Sequence, residues 1–229
     1  MKILAVDTAT KSCSVGIVDK DSLLVELTLS TGQTHSKHLT EMIDRAIGLS
    51  GLTISGLDGF AVTMGPGSFT GLRIGISSVK GLVVGTGKPL VGVSTLDALA
   101  MQAAFSSYLV CPLLDARKGE VYFSRYRFVD GTLKKELVEG VFSPLKVVDD
   151  INEPCLFIGD GALLYQNAII RKMGKLAHFV PPGQNAIRAS TVAYIAMDRF
   201  VKKETDDVAH FVPHYIRKSD AEMNLGKTE

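Results

Sequence analysis

The 229-residue sequence contains no tryptophan and only three cysteines, Cys13, Cys111 and Cys155. The cysteines are odd in number, widely spaced and set in apolar runs. That pattern is neither a disulfide framework nor a Cys-x-x-Cys metal or redox pair, and small buried hydrophobes in a reducing compartment are expected. Surplus charge is missing too: 25 Lys and Arg balance 24 Asp and Glu, a formal net charge of +1. This argues against a dedicated nucleic-acid binder, whose affinity would come from neutralising phosphates. No uninterrupted apolar stretch is long enough to span a bilayer. The start, Met1 to Asp7, reaches a carboxylate too soon for the apolar region of a signal peptide. A soluble, cytoplasmic protein without membrane contact is expected. What is present is globular: 46 % hydrophobic and 21 % charged residues, enough for one large or two small domains with a sizeable core.

Three short apolar runs, Lys2–Ala9, Cys13–Val18 and Leu23–Leu29, are separated by turn residues and read as consecutive antiparallel strands. After the polar loop Ser30–Thr34 the period changes. Leu39, Met42, Ile43, Ala46 and Ile47 recur at helical spacing, with Thr34 or Ser36 as the cap and Gly51 at the end. A strand at Gly59–Met64 runs through Gly65-Pro66-Gly67-Ser68-Phe69-Thr70-Gly71 into a helix to about Gly85. A strand at Pro89–Val93 then leads to Ser94-Thr95-Leu96-Asp97, which has the form of a capping box.

The second half repeats this grammar. Strands are expected at Leu109–Leu114, Glu120–Phe128, Lys135–Phe142, Cys155–Ile158 and Ala177–Val180. Helices are expected at Pro144–Ile151 (short), Leu163–Met173 and Ala189–Lys203. The turn Asp7-Thr8-Ala9-Thr10 is echoed by Asp115-Ala116-Arg117-Lys118, and Gly65-Pro66-Gly67 by Gly159-Asp160-Gly161. An internal duplication of one α/β unit explains both echoes. It predicts subdomains at 1–105 and 106–205, followed by a polar tail, 206–229, whose last residues are expected to be mobile.

Two turns and one helix carry the candidate chemistry. Asp7, Thr8 and Thr10 fit a hairpin that cradles a phosphate while the carboxylate holds Mg²⁺; favourable turn residues alone explain them as well. Gly65, Gly67 and Ser68 precede a helix N-terminus, where an anion docks readily, but the glycines also serve shape alone. The helix that follows contains Gly71, Gly75 and Gly81, each costing ~1 kcal/mol relative to Ala. Its apolar residues, Leu72, Ile76, Val79 and Val83 with Ile74 and Leu82 off the stripe, call for burial nearly all round. One side can face its own sheet; the other needs the Leu39–Ile47 helix or a second protein. An exposed hydrophobic interface is the preferred reading. His35 with His38, and His210 with His214, lack a Cys, Asp or Glu cluster beside them, so no metal is expected. Glu120 and Tyr122 alternate on a strand and point the same way, a solvated edge by default.

Together, Asp7-Thr8-Ala9-Thr10, His35-Ser36, the glycine heptapeptide with Leu72-Arg73-Ile74-Gly75, Asp115-Ala116-Arg117 with Glu120-Val121-Tyr122, and Pro213-His214-Tyr215-Ile216-Arg217 resemble the TsaB (YeaZ) family. The resemblance covers essentially the whole chain. It implies an α/β fold of two βββαβα-type subdomains, the duplicated actin-like ATPase fold. It also implies a part in making threonylcarbamoyladenosine at position 37 of tRNA, as a non-catalytic partner of the paralogous transferase TsaD, with TsaE joining as the ATPase. The paralogue carries a metal-binding His-Leu-Glu-Gly-His where this chain has Thr95 and Leu99 in place of the histidines. Neither can ligate as imidazole does. The resemblance implies a helix-pair interface to TsaD or, without it, a homodimer. Leu39, Met42, Ile43, Ala46, Leu72, Gly75, Ile76, Val79 and Val83 are its expected contacts, and tRNA is met only within the complex. No cofactor is expected, with weak or vestigial nucleotide binding at Asp7, Thr8, Thr10, Gly65, Gly67 and Ser68 left open. An active ATPase or phosphotransferase is the alternative.

Overall fold

A computed structural model describes residues 1–31 and 35–217. Thr34 as a helix cap, much of the polar loop and the expected mobility of the last tail residues fall outside them. Strands β1 (Lys2–Asp7), β2 (Cys13–Asp19) and β3 (Ser22–Leu29) form an antiparallel meander. Strands β4 (Gly59–Gly65) and β5 (Leu90–Ser94) extend it in parallel, giving the order β3-β2-β1-β4-β5. The second sheet repeats the plan. Its strands are β6 (Leu109–Arg117), β7 (Glu120–Val129), β8 (Thr132–Phe142), β9 (Cys155–Ile158) and β10 (Ala177–Phe179), in the order β10-β9-β6-β7-β8. The duplication expected from the two echoed turns is therefore a repeat of sheet topology.

Among the described residues, five α-helices complete three apolar layers. Helices α1 (His35–Leu49) and α2 (Phe69–Thr86) cover one face of the first sheet, where Leu39, Met42, Ile76 and Val79 pack on Leu4, Val15, Phe60 and Val62. Between the sheets lie α3 (Thr95–Gln102) and α5 (Ala189–Val201), joining Ile3, Ala61 and Val91 to Val110, Leu114 and Ile158. Helix α4 (Asp160–Met173) covers the far face of the second sheet through Ala162 and Ile169. Although α5 follows the second repeat in sequence, it packs on β1 and β2. Gly16 makes room for it, since a Cβ there would meet the Ser190 amide nitrogen at 2.8 Å.

The ends of these elements follow local chemistry. Ser68 caps α2 by accepting the Gly71 N–H, and Gly87 ends the helix at a φ of 68°. Ser94 caps α3 by accepting the Asp97 N–H, but only half of the expected capping box forms. The Asp97 carboxylate instead takes the Tyr126 hydroxyl at 2.7 Å. The expected helix at Pro144–Ile151 shrinks to one 3₁₀ turn, Lys146–Val148. Cys111 and Cys155, far apart in sequence, sit as free buried thiols with their Sγ atoms 3.0 Å apart. The tail is docked as far as Arg217. Asp206 pairs with Leu90, the Phe211 ring lies over Gly92, and the His214 N–H donates to the Met64 carbonyl at 2.7 Å. No helix among the described residues is long and apolar enough to cross a membrane.

Candidate functional site

The candidate phosphate turns stand at the strand ends facing the cleft between the two sheets. This cleft has a volume of about 520 Å³, with Thr10, Ser68, Asp115, Arg117, Tyr122 and Asp160 on its walls. Each turn closes on itself. In the first, the Ser68 N–H donates to the Ala9 carbonyl at 2.7 Å, and the Ala9 N–H donates to Asp7 Oδ1 at 3.2 Å. In the second, the Asp115 N–H donates to Asp160 Oδ1 at 3.0 Å and the Arg117 N–H to Asp115 Oδ1 at 2.9 Å. These are backbone donors of the kind a bound phosphate takes up, and the chain's own acceptors hold them.

Asp7 lies at 0 % exposure. Its Oδ1 accepts the Thr63 hydroxyl at 2.7 Å, and its Oδ2 is buried without a partner. Burial raises its pKa to about 7; the Thr63 and Ala9 hydrogen bonds oppose the rise, and nearby Asp160 adds to it. Burial raises Asp160 as well, against the Asp115 N–H bond. Thr8, also buried, donates through its hydroxyl to the Gly71 carbonyl at 2.8 Å, pinning the first hairpin to α2. A Cβ at Gly71 would overlap the Thr8 carbonyl oxygen, at Gly75 the Thr8 hydroxyl, and at Gly67 the Ala9 carbonyl oxygen. These glycines are there for close approach of the hairpin. A Cβ at Gly65, whose φ is 124°, would overlap the His214 carbonyl oxygen of the tail. Thr10 is half-buried, with its hydroxyl 2.9 Å from that of Ser12. Of the expected phosphate set, only Ser68 is exposed. His35 donates from Nε2 to the Thr10 carbonyl at 2.7 Å. No group of three or more metal-type ligands is placed to hold an ion among the described residues.

The helix pair corrects the expected contact residues. Leu39, Met42, Ile43, Ala46, Leu72, Ile76, Val79 and Val83 are each at most 7 % exposed, and Gly75 is buried with them. They are the inner stripe against the first sheet, with Leu72 turned towards the central layer. Periodicity marks the stripe that buries, and here the chain's own strands bury it. The outward side carries Thr40, Arg73, Ser77, Gly81, Val84 and Gly85, with Ile47, Ile74, Ser78 and Leu82 half-buried at its edges. Gly81 and Gly85 have nothing within 4 Å of a Cβ position, and Val84 is 73 % exposed. Between α1 and α2 runs an open groove of about 540 Å³, whose walls include Leu39, Thr40, Ile74 and Ser77. Ser77, Gly81 and Gly85, four apart in sequence, lie along this side and are small enough for close approach.

The tail supplies what spacing did not reveal. Tyr215 stacks on Phe69 at 4.6 Å between centroids, and Arg217 donates to the Ala116 carbonyl and Glu120 at 3.0 and 2.9 Å. Glu120 and Tyr122 thus belong to the cleft and its strap rather than to a plain solvated edge.

Residues 29–225 match the family described as TsaD: tRNA N6-adenosine threonylcarbamoyltransferase. The chain is 31 % identical to the tRNA threonylcarbamoyladenosine biosynthesis protein TsaB of Escherichia coli, over 98 % of both chains. It is 28 % identical to the TsaB of Bacillus subtilis, over 97 % of this chain and 96 % of that one. The chain belongs to the TsaB (YeaZ) family. Its fold agrees: YeaZ from Pseudomonas aeruginosa superposes with a TM-score of 0.79 at 25 % identity, covering 93 % of this chain and 99 % of that one. A likeness of fold alone extends to the activator of the 2-hydroxyisocaproyl-CoA dehydratase from Clostridium difficile, with a TM-score of 0.52 and 10 % identity over 90 % of this chain and 99 % of that one. The α/β fold is thus of the actin-like ATPase type, and the family supports a role in threonylcarbamoyladenosine biosynthesis.

Proposed function

We propose that this chain is a non-catalytic scaffold and activator that docks TsaD, with TsaE joining, for threonylcarbamoyl transfer to adenosine 37 of tRNA in the cytoplasm. The observation that carries the non-catalytic reading is the closure of both phosphate-type turns. Ser68, Ala9, Asp115 and Arg117 all spend their N–H groups on the chain's own carbonyls and carboxylates. Asp7, the carboxylate an ATPase would offer to Mg²⁺, is sealed at 0 % exposure. No cofactor follows from this arrangement, and any nucleotide in the cleft would bind weakly. The active ATPase or phosphotransferase reading has the fold in its favour and these hydrogen bonds against it. A metallopeptidase would need the histidine pair that Thr95 and Leu99 replace.

Docking belongs to the outward side of α1 and α2. The absence of Cβ atoms at Gly81 and Gly85 allows a partner helix to come close, and Val84 with the groove supplies apolar area to cover. The same side would pair two copies of the chain about a twofold axis when TsaD is lacking. The test is co-purification with TsaD and TsaE, and titration of TsaD, using wild type and Gly81→Leu. Nothing stands within 4 Å of Gly81, so the variant should fold with its stability kept or raised by about 1 kcal/mol. TsaD affinity should fall at least about tenfold. Unchanged affinity in a folded variant would refute this docking side.

A further inference from the structure

Arg73 is held in a manner that its place on α2 does not require. Its guanidinium lies over the Phe69 ring, 3.9 Å from the centroid, and 6.0 Å from that of Tyr215. Its Nε donates to the Tyr215 hydroxyl at 3.0 Å, across 142 residues of sequence. Tyr215 is brought there by the docked tail and stacks on Phe69 in turn. Among the described residues, the two terminal amino groups of Arg73 have no hydrogen-bond or ion-pair partner. The result is a planar fork, fixed on one edge by a phenol and on one face by an aromatic ring, with its far edge open. Such a fork matches a carboxylate in two parallel hydrogen bonds, and its immobilisation lowers the entropy cost of forming them.

The fork opens on the α1–α2 groove, where Arg73 is the one charged residue among the described residues that line it. An acidic side chain on an entering helix would meet no competing carboxylate there. We propose that Arg73, locked by Phe69 and Tyr215, is the specificity anchor of the docking side and receives an Asp or Glu on the partner's helix. The tail residue Tyr215 is then a positioning residue for docking. This inference rests on the docking side proposed above. The groove around the fork mixes the apolar Leu39 and Ile74 with Ser and Thr hydroxyls, and among the described residues it offers the single cation Arg73, which balances the one charge of a protein carboxylate but not the higher charge of a phosphate. An aromatic-and-arginine cluster beside such a groove also has the composition of an interface hot spot.

The experiment measures TsaD binding to the full chain by titration at low and raised ionic strength, for wild type, Arg73→Gln, Tyr215→Phe, Tyr215→Ala and Gly81→Leu. Thermal melting of each variant serves as the fold control. Arg73 and Tyr215 are at the surface, so all should melt as folded proteins. Arg73→Gln and Tyr215→Ala should each weaken binding about tenfold or more, and Arg73→Gln should also flatten its salt dependence. Tyr215→Phe, which keeps the stack and loses the hydroxyl, should lie between these and wild type. If Gly81→Leu loses TsaD while Arg73→Gln and Tyr215→Ala bind as wild type does, the anchor is wrong and the docking side stands. If all bind as wild type, both are wrong. Inorganic phosphate is titrated in parallel. Saturable binding of phosphate that needs Arg73, with TsaD affinity indifferent to Arg73→Gln, would make the fork a phosphate site and overturn the proposal.

Discussion

Replacing Asp7 by Asn tests whether this carboxyl is a buried structural group or the metal-holding acid of a working ATPase. Asn keeps an oxygen where Oδ1 accepts from Thr63 and Ala9, and removes the proton equilibrium at the unpartnered Oδ2. In the folded chain Asp7 is raised from 3.8 to about 7, chiefly by burial. The native state therefore holds this proton more tightly than the unfolded state does. The stability tied to that proton is fully present below about pH 4 and is lost as pH rises through 7. An interval of about three pH units, at about 1.4 kcal/mol each, amounts to about 4 kcal/mol. The Asn amide, itself without an acceptor at that position, costs about 1–3 kcal/mol. Asp7→Asn should thus be neutral or destabilising near pH 4 and more stable than wild type at pH 8. The difference between the two proteins should swing by about 4 kcal/mol across the range. Urea unfolding at several pH values measures it, and subtracting wild type cancels the other titrating groups, apart from the coupling to Asp160. A difference that does not vary with pH, or an Asn variant weaker than wild type at pH 8, would refute the reasoning and point to an ionised Asp7 with a cation beside it.

Gly75→Ala should destabilise the fold by about 1–3 kcal/mol, because its Cβ would overlap the Thr8 hydroxyl, and chemical denaturation reads this directly. TsaD binding lost in a Gly75→Leu variant would therefore report damage to the hairpin contact rather than to an interface, which is why Gly81 is the informative glycine. Arg217→Ala removes the bonds to Ala116 and Glu120 that fasten the tail across the cleft. Amide exchange along 206–217 should quicken while the exchange of β1 and β4 stays slow.

The grammar of the fold was legible because it is local. Alternating apolar runs gave the strands. The glycine heptapeptide gave the β4–α2 turn, and the echo of Asp7-Thr8 in Asp115-Ala116 gave the second repeat. Packing between distant segments was not legible. Helical spacing identifies one apolar stripe with Met42 and Ile43 on α1 and another with Val79 and Val83 on α2, but nothing in the spacing says whether a sheet of the same chain or another protein covers them. Small residues four apart, as Gly71 and Gly75 are, leave a helix face open to any close neighbour, and here that neighbour is Thr8, 63 residues before Gly71. The seat of α5 on the first sheet, and of Tyr215 on Phe69, likewise arises from contacts that no local pattern encodes. The unusual residues of the tail, a Tyr and an Arg after Pro213, were the one available signal that it is docked.

The most direct test is a reconstituted threonylcarbamoylation reaction on tRNA with TsaD and TsaE, without this chain, with wild type and with Asp7→Asn. The chain should be required, should modify no tRNA by itself, and should work equally well with Asn at position 7. Modification by the chain alone, or its collapse in a folded Asp7→Asn protein, would contradict a scaffold without chemistry of its own.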